Sequence, residues 1–207
     1  MATFASDVTP YDPRKLDDPR GGHGFEVDPG RCSVLVHDLL PYYVDVLDQL
    51  TRDSVIAGSR RVLSWARSHG VPLLASAPRP ATGIEQRGLG GRLWGLGPSA
   101  GQAAESCLRE LAERDVVWLG KRSLSAFFAT DLDVELRRTG RDQLVIVGVF
   151  ASQGIVATSF DALARDIECI VVSDAVADYR PELHSLAMHQ VARSTGQVIY
   201  AEDLPAG

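Results

Sequence analysis

Six short apolar runs, none alternating with polar residues, restrict the fold of this chain more than any other feature. They are "CSVLVHD" (32–38), "VPLLAS" (71–76), "VVWLG" (116–120), "QLVIVGVF" (143–150), "ECIVVSD" (168–174) and "GQVIYA" (196–201). A strand with one wet face alternates, whereas an unbroken apolar run suits a strand covered on both faces, as in a parallel sheet. Between the runs lie segments with helical spacing. Residues 55–68 put Val55, Ile56, Val62, Leu63 and Ala66 on one side. The others are 103–114, 131–138 (ending before Gly140), 154–165, and 181–194 (opened by Pro181), with glycine and proline where helices end and begin. Strand and helix alternate down the chain. This predicts a three-layer α/β/α domain with a six-stranded, parallel, doubly wound sheet.

Composition narrows the function. The 207 residues, 45% hydrophobic and 23% charged, are ordinary for one globular domain. A net charge of −6 provides no basic footprint, so nucleic acid is not an expected partner. No apolar run approaches the roughly 18 residues of a membrane span, and the N-terminus lacks the basic-then-apolar order of a signal peptide. The expectation is a cytoplasmic protein with no membrane contact. Cys32, Cys107 and Cys169 are too scattered for a metal site or a disulfide framework. Neither a GxGxxG after the first run nor a Walker pattern occurs, so no nucleotide site or other cofactor is expected. Residues 1–29 read as an extended arm that Tyr11 and Phe25 anchor, or else as a disordered leader; 30–207 read as the domain.

In doubly wound sheets, sites form beyond the carboxyl ends of the strands. Asp38 closes the first run, where a carboxyl suits a general acid or a helix N-cap. Lys121 follows "VVWLG" and either pairs with Asp38, holds an anionic substrate, or is a solvated surface lysine. The segment "APRPATGIEQRGLGGRLWGLGPSAG" (77–101) holds seven glycines, three prolines, three arginines and Trp94. It reads as a binding loop or lid, or as a mobile surface loop. Arg87 suits carboxylate recognition, with Arg79 and Arg92 as rivals. The turn "GVFASQG" resembles a nucleophile elbow without its nucleophile: Ser152 lacks the GxSxG setting. Gly154 there either admits close approach of an anion to backbone amides, together with Phe150, or serves tight packing. His37 and His184 read as structural or surface residues, or else as titrating groups.

The stretches "VLVHDLLPYY", "EQRGLGGRLWG", "GKRSLSAFFATDLDVELRRTGRDQLVIVGVFASQGIVATSFDAL" and "VVSDAVADY" resemble the isochorismatase family, within the isochorismatase-like hydrolases. The likeness runs from about Arg31 onward and is nearest to the phenazine-pathway and siderophore-pathway members. It implies an isochorismatase-like (Rossmann-like) fold, usually in a homodimer. It also implies hydrolysis of the enolpyruvyl (vinyl) ether of isochorismate or 2-amino-2-deoxyisochorismate in secondary metabolism. Asp38 matches the catalytic acid and Lys121 the catalytic lysine. Gly154 matches the position that is cysteine in the amidase branch and a small residue in the vinyl-ether branch. The substrate, a small anionic cyclic molecule, is expected to meet Arg87, Phe150, Pro78, Arg79, Trp94, Tyr42 and Ser152. A cis peptide is implied near Val149–Phe150.

Some positions depart from the family pattern. "AQPG" has become "APRP", with Pro78 in place of a glutamine. "TKWRYSAF" has become "GKRSLSAF", bringing Arg122, Ser123 and Leu124. The tyrosine of "GVYAH" is Phe150, and the glutamine of "HDMQ" is Leu40. An intact acid and lysine inside a changed shell leave two further readings: another cyclic substrate, or a binding scaffold without turnover.

Overall fold

A computed structural model describes residues 7–112 and 115–206. In chain order the elements are β1 (Gly21–Gly22), β2 (Cys32–His37), α1 (Pro41–Val44), α2 (Gln49–Ser68), β3 (Leu73–Pro78), α3 (Leu89–Trp94), α4 (Ala100–Ala103), β4 (Val117–Lys121), α5 (Leu132–Arg138), β5 (Gln143–Val149), α6 (Val156–Leu163), β6 (Glu168–Ala177), α7 (Pro181–Ser194) and β7 (Gly196–Ile199). They form one sheet in the order β1-β7-β6-β5-β2-β3-β4. Every neighbouring pair is parallel except β1 with β7. The six predicted strands are all present. The seventh, β1, is a two-glycine antiparallel edge with no apolar pattern to announce it.

The unbroken apolar runs follow from burial on both faces. Along β5, Val145, Val147 and Val149 pack into the same core as Val55, Val62 and Leu63 of α2. The intervening Leu144 and Ile146 enter the opposite core with Leu132 and Leu136 of α5, Ala162 of α6, and Ala187, Met188 and Val191 of α7. Each buried side chain of this size contributes about 1.5–3 kcal/mol, so neither face tolerates the polar residue of an alternating strand.

One predicted helix is corrected. Residues 103–114 do not form a continuous helix: α4 ends at Ala103, and a single 3₁₀ turn follows at Arg109–Ala112. The Ser106 hydroxyl takes the Leu108 N–H, and the Leu39 carbonyl takes the Cys107 N–H. The backbone donors a helix needs are therefore engaged elsewhere, while Leu108 and Leu111 still reach the core. Residues 113 and 114 of that prediction lie outside the described residues.

The chain before β2 is tied down by Tyr11. Its backbone N–H donates to Thr51 Oγ1 at 3.1 Å, and its hydroxyl accepts the Asp178 N–H at 2.7 Å and meets His184 Nδ1 at 3.0 Å. His184 is fully buried, and burial holds its pKa down to about 3, against a smaller opposing hydrogen bond at Ser173. Burial also lowers the pKa of His37, against the Asp38 charge. In both cases the unfolded chain binds a proton that the folded one refuses. The stability these neutral rings contribute is complete above about pH 6.5 and is lost as the pH falls toward the folded values. Urea unfolding is expected to lose about 1 kcal/mol between pH 6 and pH 5 from His184 alone. A His184→Gln protein should show a flatter slope there, and an unchanged slope would refute this account.

Candidate active site

The order of the sheet reverses between β2 and β5: β3 and β4 extend to one side, and β6 and β7 to the other. Adjacent chain crossovers diverge at such a point and leave a crevice over the carboxyl ends. A cavity of about 390 Å³ lies there, lined by residues at the ends of β2, β3, β4 and β5 and by the loop carrying α3.

Asp38 stands one residue past β2, in the left-handed region at φ 50°. Its backbone N–H donates to Ser76 Oγ at 3.3 Å, and the Ser76 hydroxyl donates to Asp38 Oδ1 at 2.8 Å. Lys121 ends β4. Its Nζ lies 2.7 Å from Asp38 Oδ2 and also donates to the carbonyls of Ser123 at 3.0 Å and Leu124 at 3.4 Å. Asp38 and Lys121 are 6% and 5% exposed. Water screens such a pair little, and removing either partner strands a buried charge.

The end of β5 and the turn after it each need a glycine. The peptide bond between Val149 and Phe150 is cis, where the resemblance places one. Gly148 has φ 117°, and a Cβ on it would fall 2.1 Å from the His37 carbonyl oxygen. Gly154 lies in the single π-helical turn Ala151–Ile155, and a Cβ on it would fall 2.2 Å from Cε1 of the His37 ring. His37 is buried, with Nδ1 3.0 Å from the Val149 carbonyl and Nε2 3.2 Å from the Leu124 carbonyl. The imidazole therefore occupies the space that a side chain at 154 would need.

Aromatic rings form one wall. Phe150 stacks on Tyr179 with centroids 4.1 Å apart, and Tyr43 meets Phe150 edge-on at 5.9 Å. Burial raises the pKa of both tyrosines, so they stay neutral. Three arginines also line the cavity. Arg79 donates to the carbonyls of Gly120 at 2.8 Å and Ala129 at 3.3 Å, Arg87 to Gly95 at 2.7 Å, and Arg122 to Gln86 at 3.4 Å.

The structure thus brings Asp38, Lys121, Gly154, Arg87, Phe150, Pro78, Arg79, Trp94 and Tyr42 to one cavity. Ser152, predicted to meet substrate, does not line it. Its N–H donates at 2.6 Å to Oδ2 of the fully buried Asp178, which draws Ser152 away from the opening. Arg92, the rival to Arg87, is exposed and also outside the lining. Leu40 is buried with Ala77 and Ala103 rather than facing the cavity, so its departure from the family pattern does not touch the lining.

Two lining residues, Tyr43 and Tyr179, were given no part in the site by the sequence reading, and a third, His37, was read as structural. His37 adjoins Asp38, and Tyr43 ends the stretch "VLVHDLLPYY", which was the available signal. Tyr179 closes "VVSDAVADY" but lies beyond the expected end of the run at 174: β6 continues to Ala177.

Comparison with known proteins places the chain among characterised sequences and folds. The model of the isochorismatase domain matches residues 32–203. The phenazine biosynthesis protein PhzD of Pseudomonas fluorescens is 36% identical over 199 residues, covering 95% of this chain and 96% of that protein. Enterobactin synthase component B of Escherichia coli is 30% identical over 195 residues, covering 93% of this chain and 68% of that protein. Among solved structures, an isochorismatase family protein from Burkholderia thailandensis superposes with a TM-score of 0.73 at 24% identity, covering 86% of this chain and 95% of that one. No helix among the described residues is long and apolar enough to cross a membrane. From the domain match and these relatives together, the chain belongs to the isochorismatase family of hydrolases.

Proposed function

We propose that this protein hydrolyses the vinyl ether of isochorismate or 2-amino-2-deoxyisochorismate to pyruvate and a hydroxylated cyclohexadiene carboxylate. The observation that carries this reading is the buried Asp38–Lys121 pair beside a Gly154 whose side-chain space the His37 ring fills. That arrangement offers a positioned acid and no nucleophile, which is what protonation of carbon requires.

In the proposed mechanism Asp38, ion-paired with Lys121 in the free protein and protonated in the substrate complex, gives its proton to the vinyl methylene carbon. The double-bond electrons form the new C–H bond and leave an oxocarbenium ion. Water adds to that cation and returns a proton to the Asp38 carboxylate. The hemiketal then collapses to pyruvate and the ring alcohol, so one water is consumed and the acid is regenerated. Lys121 holds the carboxylate in place and stabilises its charge as the proton leaves. Arg79, Arg87, Arg122 and Lys121 outnumber Asp38 around the cavity, a balance that suits a substrate bearing more than one carboxylate. The aromatic wall of Phe150 and Tyr179 suits the face of an unsaturated ring.

The same reading takes residues 30–207 as the hydrolase domain behind an extended arm in a cytoplasmic protein, and as a homodimer, which the family resemblance suggests. The test is pyruvate release from each substrate, followed by coupled reduction to lactate. One pyruvate per substrate consumed is expected from at least one of the two. Absence of pyruvate from both would sink the proposal.

A further inference from the structure

We propose that Ser76 is the positioning residue of this site: it sets the orientation of the Asp38 carboxyl and stabilises the charge that develops on it during proton transfer. The inference rests on Asp38 being the acid, but its evidence is separate.

Ser76 lies in β3, beside β2, and pairs in register with His37. It is 1% exposed and does not line the cavity, so it acts through Asp38 and not on substrate. Its single hydroxyl makes two contacts to one residue. It accepts the Asp38 backbone N–H at 3.3 Å and donates to Asp38 Oδ1 at 2.8 Å. The first contact supports a backbone that an L-residue rarely adopts, φ 50°. The second leaves Oδ2 to Lys121 at 2.7 Å.

A carboxyl group turns about one soft torsion, and an ammonium, with three rotatable donors, restrains that torsion poorly because it can follow either oxygen. A hydroxyl already anchored to the backbone of the same residue does not follow. Ser76 therefore makes the two oxygens inequivalent and keeps the Oδ2 edge with Lys121, the group of the pair that lines the cavity. When the proton leaves Asp38, negative charge spreads to Oδ1, where the Ser76 donor is already in place and needs no reorganisation.

The experiment compares Ser76→Ala and Ser76→Thr with the unaltered protein. Threonine keeps the hydroxyl; alanine removes it. Ser76→Ala is expected to lower kcat for pyruvate release by about 10- to 100-fold, the effect of losing one hydrogen bond to a charged group, with KM within about twofold. Ser76→Thr should stay within about threefold of the unaltered kcat. A general packing defect would not separate kcat from KM in this way, nor be rescued by the hydroxyl. A crystal structure of Ser76→Ala is expected to show the Asp38 carboxyl rotated from its position against Lys121. If Ser76→Ala does not fold, Ser76→Cys, with a near-isosteric weak donor, takes its place with the same expected direction. A kcat within threefold for the hydroxyl-free protein, or an unmoved Asp38 carboxyl, would overturn the proposal. Absence of pyruvate from the unaltered protein would instead overturn the functional reading, and the crystal structure would still decide whether Ser76 positions Asp38.

Discussion

Asp38→Asn is expected to lower kcat for pyruvate release by about 100- to 10,000-fold, the range associated with removing a general acid. The amide is close to the carboxyl in shape and keeps an acceptor for Ser76, but it has no acidic proton to give to carbon. A second effect accompanies the first. Lys121 is 5% exposed, and its other partners are the two uncharged carbonyls of Ser123 and Leu124. Without the carboxylate its ammonium is a buried, uncompensated charge, and breaking such a pair costs about 3–5 kcal/mol. Activity and stability therefore fall together in the single variant, and a second protein separates them. In Asp38→Asn/Lys121→Met the buried charge is gone, so urea unfolding should recover most of the lost stability while pyruvate release stays absent. An Asp38→Asn protein keeping more than about a tenth of the unaltered kcat would rule out Asp38 as the acid, given the minimum 100-fold effect expected.

The second large effect is expected at Gly154. Placing a cysteine there would seem the direct way to supply the missing nucleophile, and it is expected to fail. The added Cβ falls 2.2 Å from Cε1 and 2.8 Å from Nε2 of His37. The ring has no free direction of retreat: it is 1% exposed, and its two nitrogens face the carbonyls of Val149 and Leu124. Gly154→Cys, and Gly154→Ala with one carbon only, should each lose about 1–3 kcal/mol from overpacking. They should also lose pyruvate release, because displacing His37 disturbs the Leu124 carbonyl that Lys121 also contacts. The cause is testable by coupling. In His37→Ala/Gly154→Ala the space is restored, so the double variant should be more stable than the sum of the single losses predicts. Strict additivity, or a Gly154→Ala protein that unfolds at the unaltered urea concentration, would show that His37 does not fill this space.

Much of the site was legible because strand ends can be read locally. Asp38, Lys121 and Phe150 each follow an apolar run, and a parallel sheet carries all such ends to one edge. Arg87 and Trp94 were legible because a glycine-rich loop rarely carries both without a use. Contacts made across the sheet were not legible. Ser76 is one more residue at the end of an apolar run until β3 lies beside β2 and its hydroxyl meets a residue 38 positions away. Ser152 was misplaced because the sequence says nothing of Asp178, 26 residues on, which takes its N–H. The expected helix at 103–114 had adequate spacing, but its backbone donors found tertiary and side-chain acceptors instead.

The sequence by itself determined the parallel sheet and the edge of it at which Asp38 and Lys121 stand. These depend on the periodicity of burial and on chain order, both of which are local properties. Only the tertiary structure decided what surrounds them: that Ser76 and Lys121 hold opposite oxygens of Asp38, that Tyr179 backs Phe150, and that the His37 ring fills the space beside Gly154. Those outcomes depend on the directions of side chains from strands far apart in the chain. Close packing allows only one of the competing groups to occupy each volume.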